Sequence, residues 1–228
     1  MNLLLLHGAI GAAEQLNPLA TGLRKDYTIH TLDFSGHGRK PFPEGPYSIS
    51  LFAKDVLQYM DDHRLENTAI FGYSMGGYVG MYLARHYTER VSKLITLATK
   101  FHWDPTIAQR ETQMINAEKL EEKVPAFAKT LEKRHELKDW KMVLKRTADL
   151  LTSLGENPPL KPDDYPAIAT PTLLLLGDRD KMVSLEETQS TFKNLPNAQF
   201  GILPGTPHPI EQVDISLLAS VLRHFYKN

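Results

Sequence analysis

Gly72-Tyr73-Ser74-Met75-Gly76 is the stretch of this sequence that says most about its fold. An apolar run precedes it and a helix-like stretch follows it, which indicates a strand, a tight turn and a helix with the serine at the turn. Glycine on either side leaves room that a Cβ would fill, and a backbone N–H at a helix N-terminus favours an anion. The pattern is typical of an activated serine nucleophile, although an N-cap serine between packing glycines would give the same letters.

Short apolar runs alternate with amphipathic stretches along most of the chain. The runs that read as buried strands are residues 3–6, 28–32, 69–71, 94–97, 173–176 and 200–203. The helix-like stretches between and after them are residues 13–23, 50–63, 77–86, 185–194 and 215–226. This alternation predicts an α/β fold, with a mostly parallel sheet of about six strands and helices on both faces. Ligands of such sheets bind at the carboxyl ends of the strands.

One long segment breaks the alternation. Residues 101–166 contain no convincing strand and are rich in Lys, Glu, Leu and Ala. We interpret this segment as a helical cap inserted into a core formed by residues 1–100 and 167–228, because it joins strands whose carboxyl ends would form the site. The alternative is a helical subdomain that makes no contact with the site.

A nucleophilic serine needs a base and an acid that orients it, and two other strand ends offer them. His208 follows the strand at 200–203 in a loop rich in Pro and Gly, so a strand end presents its imidazole. Asp178 and Asp180 follow the strand at 173–176, and either could orient an imidazole. Each of these residues could instead be an ordinary turn or cap residue.

Composition excludes several classes of function. A formal net charge of −1 gives no overall field that would attract nucleic acid or an anionic membrane. The absence of cysteine rules out disulfides and thiolate chemistry and fits a cytoplasmic protein. No apolar run approaches the ~18 residues of a membrane span, and the N-terminus does not read as a signal peptide.

Motifs at several predicted strand ends together make the chain resemble the α/β-hydrolase family. They are His7-Gly8, the segment 33–38, the segment 72–77, Gly177-Asp178-Arg179-Asp180 and Gly205-Thr206-Pro207-His208. The set spans nearly the whole chain and is far more specific than any single member.

The resemblance implies a role for individual residues. Ser74, Asp180 and His208 correspond to a catalytic triad, with Asp180 rather than Asp178 as the acid, and the backbone N–H groups of Ala9 and Met75 correspond to an oxyanion hole. No metal and no organic cofactor is implied. The segment 33–38 is implied to be structural, so that its His37 is not catalytic.

The chain also departs from the family. Only six residues precede His7, so the first two strands common in the family would be absent. The strand at 28–32 would then be a sheet edge, and an exposed edge invites pairing with another chain. We expect a second copy of the chain, in a homodimer, or local structure to cover it.

The predicted reaction is hydrolysis of a small or medium carboxylic ester, or of a thioester or lactone, through an acyl-enzyme. The alternatives are hydrolysis of a C–C bond, a lyase reaction that uses the same triad, a ligand-binding receptor and an inactive scaffold. Serine at position 74 disfavours epoxide opening and halide displacement, which use an aspartate there. Tyr73, Phe101, His102 and Trp103 are candidates for contact with a small-molecule substrate, or are core residues.

Overall fold

Six parallel strands form the central sheet of the protein, whose computed structural model describes residues 1–136 and 139–227. The strands are β1 (Asn2–Leu6), β2 (Thr28–Thr31), β3 (Thr68–Tyr73), β4 (Val91–Leu97), β5 (Thr172–Gly177) and β6 (Ala198–Leu203). They lie in the order β2-β1-β3-β4-β5-β6, and every neighbouring pair is parallel. The predicted fold class and number of strands are therefore confirmed.

Helices cover both faces of the sheet. In the described part of the chain the α-helices are α1 (Asn17–Leu23), α2 (Ile49–Asp62), α3 (Met75–His86), α4 (Pro105–Met114), α5 (Ala117–Lys123), α6 (Pro125–Arg134), α7 (Trp140–Glu156), α8 (Leu185–Asn194) and α9 (Ile215–Lys227). The sequence did not indicate α5 as a separate helix. It begins there because the side chain of Asn116 accepts a hydrogen bond from the N–H of Lys119, which caps a new helix.

The leucines of β1 explain why the strands read as continuous apolar runs. Successive side chains of a strand point to opposite faces. Leu4 and Leu6 pack in the core beneath α2 and α3, whereas Leu3 and Leu5 pack beneath α1 and α9. All four are fully buried, so the run from Leu3 to Leu6 has no position that favours a polar residue.

β2 and β6 are the two edges of the sheet. The edge position of β2 agrees with the sequence analysis, and the strand is only four residues long. Short edge strands offer few unpaired backbone groups to another chain. That a second copy or local structure covers this edge stays a prediction.

The helices α4–α7 connect β4 to β5. Their chain lies within the predicted segment 101–166, of which Leu137 and Lys138 fall outside the described residues, as does Asn228 of the predicted core. α4 packs against α7 and α5 against α6. Leu120, Leu131 and Trp140 belong to a small core of this helical segment. None of the described helices is long and apolar enough to cross a bilayer.

His7, at the end of β1, is fully buried and fixed by two hydrogen bonds. Its Nε2 accepts from the N–H of Phe34 at 3.1 Å. The Nδ1 therefore carries the proton, and it donates to the carbonyl oxygen of Gly8 at 2.8 Å. Burial lowers the pKa of His7 to about 4, and a second ring proton would also face the Phe34 N–H. The ring is thus neutral in the folded protein near pH 7.

We expect His7 to make the fold acid-sensitive. Between about pH 6.5 and pH 4 the unfolded chain takes up a proton at His7 and the folded chain does not, so stability falls as the pH falls. The loss in free energy of unfolding that His7 causes approaches about 1.4 kcal/mol for each pH unit. Chemical denaturation of wild type and His7→Gln at pH 7, 6 and 5 measures it. His7→Gln should have a lower free energy of unfolding than wild type at pH 7, and this difference should become smaller toward pH 5. A difference that stays constant with pH would contradict the role of His7.

Candidate active site

Ser74 sits at a strained turn between β3 and α3. Its φ of 52° and ψ of −117° place it in a region that non-glycine residues rarely adopt. Two contacts with the end of β4 hold the turn: the Ser74 N–H donates to the Leu97 carbonyl oxygen at 2.8 Å, and the Thr99 hydroxyl donates to the Ser74 carbonyl oxygen at 3.1 Å. The predicted strand, turn and helix are therefore present, with the serine at the turn.

The two glycines of the motif are required by close backbone contacts. A Cβ at Gly76 would lie 2.5 Å from the carbonyl oxygen of Leu6, and a Cβ at Gly72 would collide with the backbone of Gly76. α3 can therefore begin this close to the end of β1 only if both positions lack a side chain. This approach brings Ser74 to the carboxyl edge of the sheet beside the loop that follows β1.

Asp180 and His208 form a buried pair on the loops after β5 and β6. The Nδ1 of His208 lies 2.8 Å from Oδ2 of Asp180, whose side chain is only 1% exposed. The other oxygen, Oδ1, accepts hydrogen bonds from the N–H groups of Met182 and Val183 at 2.8 and 2.9 Å. Asp178, the alternative that position alone left open, instead accepts from the Thr206 N–H at 3.1 Å.

The environment of Asp180 keeps its carboxyl group ionised. Burial acts to raise the pKa of Asp180. The hydrogen bond and charge of His208 and the two backbone N–H groups outweigh that effect, so the pKa lies below its ordinary value. A carboxylate at this position accepts from Nδ1–H, which leaves Nε2 of His208 as the ring nitrogen with a lone pair.

The backbone N–H groups of Ala9 and Met75 are available on the same side of the sheet. Met75 is the first residue of α3, where helical N–H groups have no partner within the helix. Ala9 lies in the turn after β1, closed by a hydrogen bond from the Gly11 N–H to the Gly8 carbonyl oxygen. In the part of the chain that the structure describes, neither N–H donates to a protein acceptor.

A cavity of about 290 Å³ brings these groups together. Ser74, His208, Ala9 and Met75 all line it, and Asp180 lies behind His208. Most of the remaining wall is apolar and comes from the sheet side and from the helical segment α4–α7. These apolar lining residues include Ile10, Ile49, Tyr78, Met114, Ile115, Phe127, Leu151, Leu154 and Val183.

The structure brings two of the four predicted substrate-contact residues to this cavity. Tyr73 and Trp103 line it, and the Tyr73 hydroxyl donates to the His208 carbonyl oxygen at 3.1 Å. Burial raises the pKa of Tyr73 far above its ordinary value, so the hydroxyl keeps its proton. Phe101 and His102 line a neighbouring groove instead.

Backbone hydrogen bonds explain why Phe101 and His102 lie outside the cavity. Both N–H groups donate to Oε1 of Glu187, at 2.8 and 3.1 Å, which fixes this stretch against α8. The Phe101 ring is buried edge-on against Tyr165. The side chain of His102 is 64% exposed and pairs with Asp104.

Arg134, the last residue of α6, lines the cavity although the sequence did not indicate it. Its side chain is 7% exposed. Nη1 donates to the Ile10 carbonyl oxygen at 3.3 Å and Nη2 to Oε1 of Glu211 at 3.0 Å. Arg134 thereby connects the helical segment to the loop that holds Ala9 and to the loop that holds His208. An arginine among several basic residues of a helix carries no sequence signal for this role.

Comparison with known proteins identifies the family. A family model described as alpha/beta hydrolase fold matches residues 2–210. A protein of Synechocystis sp. named "Putative non-heme chloroperoxidase" is 27% identical over 230 residues, covering 89% of this chain and 82% of that protein. Esterase YbfF of Escherichia coli is 28% identical over 95 residues, which is 42% of this chain and 37% of that esterase.

A solved structure has the same overall fold. The thermophilic esterase from Thermogutta terrifontis superposes with a TM-score of 0.80 at 23% identity, covering 100% of this chain and 89% of that one. At this identity the likeness shows the fold alone, whereas the family match extends over most of the sequence. The chain is therefore an enzyme of the α/β hydrolase fold family.

Proposed function

We propose that this protein is a serine hydrolase that cleaves a carboxylic ester, or a thioester or lactone, through an acyl-enzyme. The observation that carries the proposal is the 2.8 Å hydrogen bond between His208 and Asp180 on the cavity that Ser74 also lines. The names of relatives fit this chemistry: one is an esterase, and another, from Acinetobacter baylyi, is a 3-oxoadipate enol-lactonase.

His208 acts as the general base in this proposal. Because Asp180 holds the proton on Nδ1, the lone pair of Nε2 is free to take the proton of the Ser74 hydroxyl as it attacks the substrate carbonyl. The ionised Asp180 then stabilises the imidazolium that forms. His208 returns the proton to the leaving alcohol, and the same steps with water in place of Ser74 release the acid.

The N–H groups of Ala9 and Met75 stabilise the negative oxygen of the tetrahedral intermediate. Each donor of this kind contributes roughly 3–4 kcal/mol to the transition state. The N-terminus of α3 adds a favourable dipole at the same place. The contacts of Gly72 and Gly76 fix the position of Met75 before substrate binds, so little reorganisation is needed during the reaction.

The helical segment α4–α7 serves as a cap over the site. Met114, Ile115 and Phe127 from this segment face the same cavity as Ser74, which favours a substrate with an apolar part. Arg134 and its neighbour His135 attach α6 to Ile10, next to the proposed oxyanion donor Ala9.

The proposed location is the cytoplasm. The chain has no cysteine, so it can form none of the disulfides that an oxidising compartment favours.

Replacing Ser74 tests the nucleophile. Ser74→Ala should lower turnover of p-nitrophenyl butyrate by at least about a thousandfold and abolish labelling by a fluorophosphonate probe, because it removes the proposed nucleophile. The matched control Ser220→Ala changes an exposed serine of α9 and should leave both unchanged. Labelling or turnover of Ser74→Ala at the wild-type rate would refute the assignment.

Replacing Asp180 tests the orientation of His208. Asp180→Asn should lower kcat by about ten-thousandfold, because the amide no longer fixes the proton on Nδ1 or stabilises the imidazolium. The control Asp178→Asn changes the nearby carboxylate that bonds Thr206, and its kcat should stay within a few-fold of wild type. Equal losses in the two variants would mean that the loop, not the pairing with His208, is responsible.

Replacing Arg134 tests whether the cap positions the oxyanion loop. Arg134→Ala removes the contacts with Ile10 and Glu211, and we expect kcat to fall by about tenfold or more with a smaller change in KM, because small displacements of a reacting group are costly. The control Lys133→Ala alters the exposed neighbour on α6 and should have no effect. A loss of thermal stability in Arg134→Ala with kcat unchanged would assign Arg134 a structural role only.

A further inference from the structure

Met114 and Phe127 are large apolar side chains that line the Ser74 cavity and also reach solvent. Met114 is 45% exposed and Phe127 is 40% exposed. Val124, which immediately precedes α6, is 44% exposed as well. An exposed apolar patch of this kind commonly marks a ligand groove or an interaction site. Here Met114 and Phe127 belong to the wall of the cavity that Ser74 also lines.

Ile10 and Ile115 add apolar wall to the same cavity. Ile10, beside the proposed oxyanion donor Ala9, lines the cavity and packs against the small core of the helical segment. Ile115, which follows Met114, does the same. Met114 ends α4 and Phe127 lies in the first turn of α6, so the two helix ends border the outer part of the cavity.

The charged side chains that line the cavity are already paired within the protein. Arg134 binds Glu211, and Glu111 accepts a hydrogen bond from Arg110 at 3.0 Å. Lys100 donates to the carbonyl oxygen of Met182 at 2.6 Å. A charged substrate tail would have to displace these partners, whereas a hydrocarbon chain can use the apolar wall as it stands.

We propose that the substrate carries a linear hydrocarbon chain that leaves the cavity across Ile115 and lies on Met114 and Phe127. That an ester is the group attached to this chain rests on the proposed function; the binding of the hydrocarbon chain itself does not. Burying the chain removes apolar surface of both partners from water, which is the main driving force for such binding. Each buried methylene can improve binding by up to about fourfold, equivalent to about 0.8 kcal/mol.

Two series of esters test the proposal in wild type, Met114→Ser and Phe127→Ser, all below the micellar concentration. One series lengthens the acyl chain from butanoate to decanoate with p-nitrophenol as leaving group, and the other lengthens the alcohol of an acetate ester. In one series, wild-type kcat/KM should rise with chain length. Each variant should lower the ratio of the longest to the shortest ester in that series by at least about tenfold.

Leu185→Ser is the matched control. Leu185 is 48% exposed on α8 but does not line the cavity, so this variant should keep the wild-type ratio within twofold. The ester series whose ratio changes in the variants shows whether the acyl chain or the alcohol chain lies on Met114 and Phe127. Ratios unchanged by Met114→Ser and Phe127→Ser in both series, or a control that shifts them equally, would overturn the proposal.

Equilibrium binding separates this inference from the proposed reaction. Isothermal titration with butanoate and decanoate requires no turnover. Decanoate should bind wild type more tightly than butanoate, and Phe127→Ser should remove most of the difference. If the protein cleaves no ester but binds decanoate in this way, the proposed reaction is wrong and the proposed hydrocarbon-binding site is supported. If it cleaves esters without a chain-length preference and binds butanoate and decanoate equally, the hydrocarbon-binding site is wrong and the proposed reaction is supported.

Discussion

The close approach of α3 to the end of β1 is the constraint on which the rest of the site depends. Gly76 lies so near the carbonyl oxygens of Leu6 and His7 that no side chain fits there. Ser74, two residues before Gly76, has its strained conformation at this turn, and the contacts with Leu97 and Thr99 hold it there. These close backbone contacts bring together the carboxyl ends of β1, β3 and β4.

A second set of contacts connects the turn at Ser74 to the Asp180–His208 pair. Tyr73, directly before Ser74, hydrogen-bonds to the backbone of His208. Asp180 is held in turn by its own loop through two backbone N–H groups. The imidazole is thus positioned from both sides, by a tyrosine on the serine's strand and by a buried carboxylate. This arrangement brings residues from three separate stretches of sequence to one end of the sheet.

The sheet could be predicted from sequence because β1, β3 and β5 are buried on both faces, which leaves continuous apolar runs such as the leucines of β1. The edge strands β2 and β6 also read as buried strands, but the structure shows them only partly buried, because no further strand covers their outer side. Ser74, Asp180 and His208 could be singled out because each follows such a run, and the ends of parallel strands meet at one edge of a sheet. Position does not separate Asp178 from Asp180, since both follow β5. The family resemblance implies Asp180 as the acid, and this stays a prediction; in the structure Asp180 is the aspartate that pairs with His208.

The helical segment was less predictable. Trp103 reaches the cavity, whereas Phe101 is drawn away by the hydrogen bonds of its backbone with Glu187 and Tyr165. Met114, Phe127 and Arg134 could not be found from sequence, because the face that a helix presents to the site depends on how α4 and α6 pack, and their local pattern resembles any amphipathic helix. Several residues that line the cavity from the helical segment are therefore the ones that sequence indicates least well.

The most direct test of the account is to identify the residue that carries the acyl group during turnover. The protein is mixed with a p-nitrophenyl ester, quenched in acid within the first turnovers, and its peptides are mapped by mass spectrometry. The mass of the acyl group should appear on the peptide that contains Ser74, and on no other serine. Ester turnover with the acyl group on a different residue, or with no acylated peptide in a rapid burst, would contradict it.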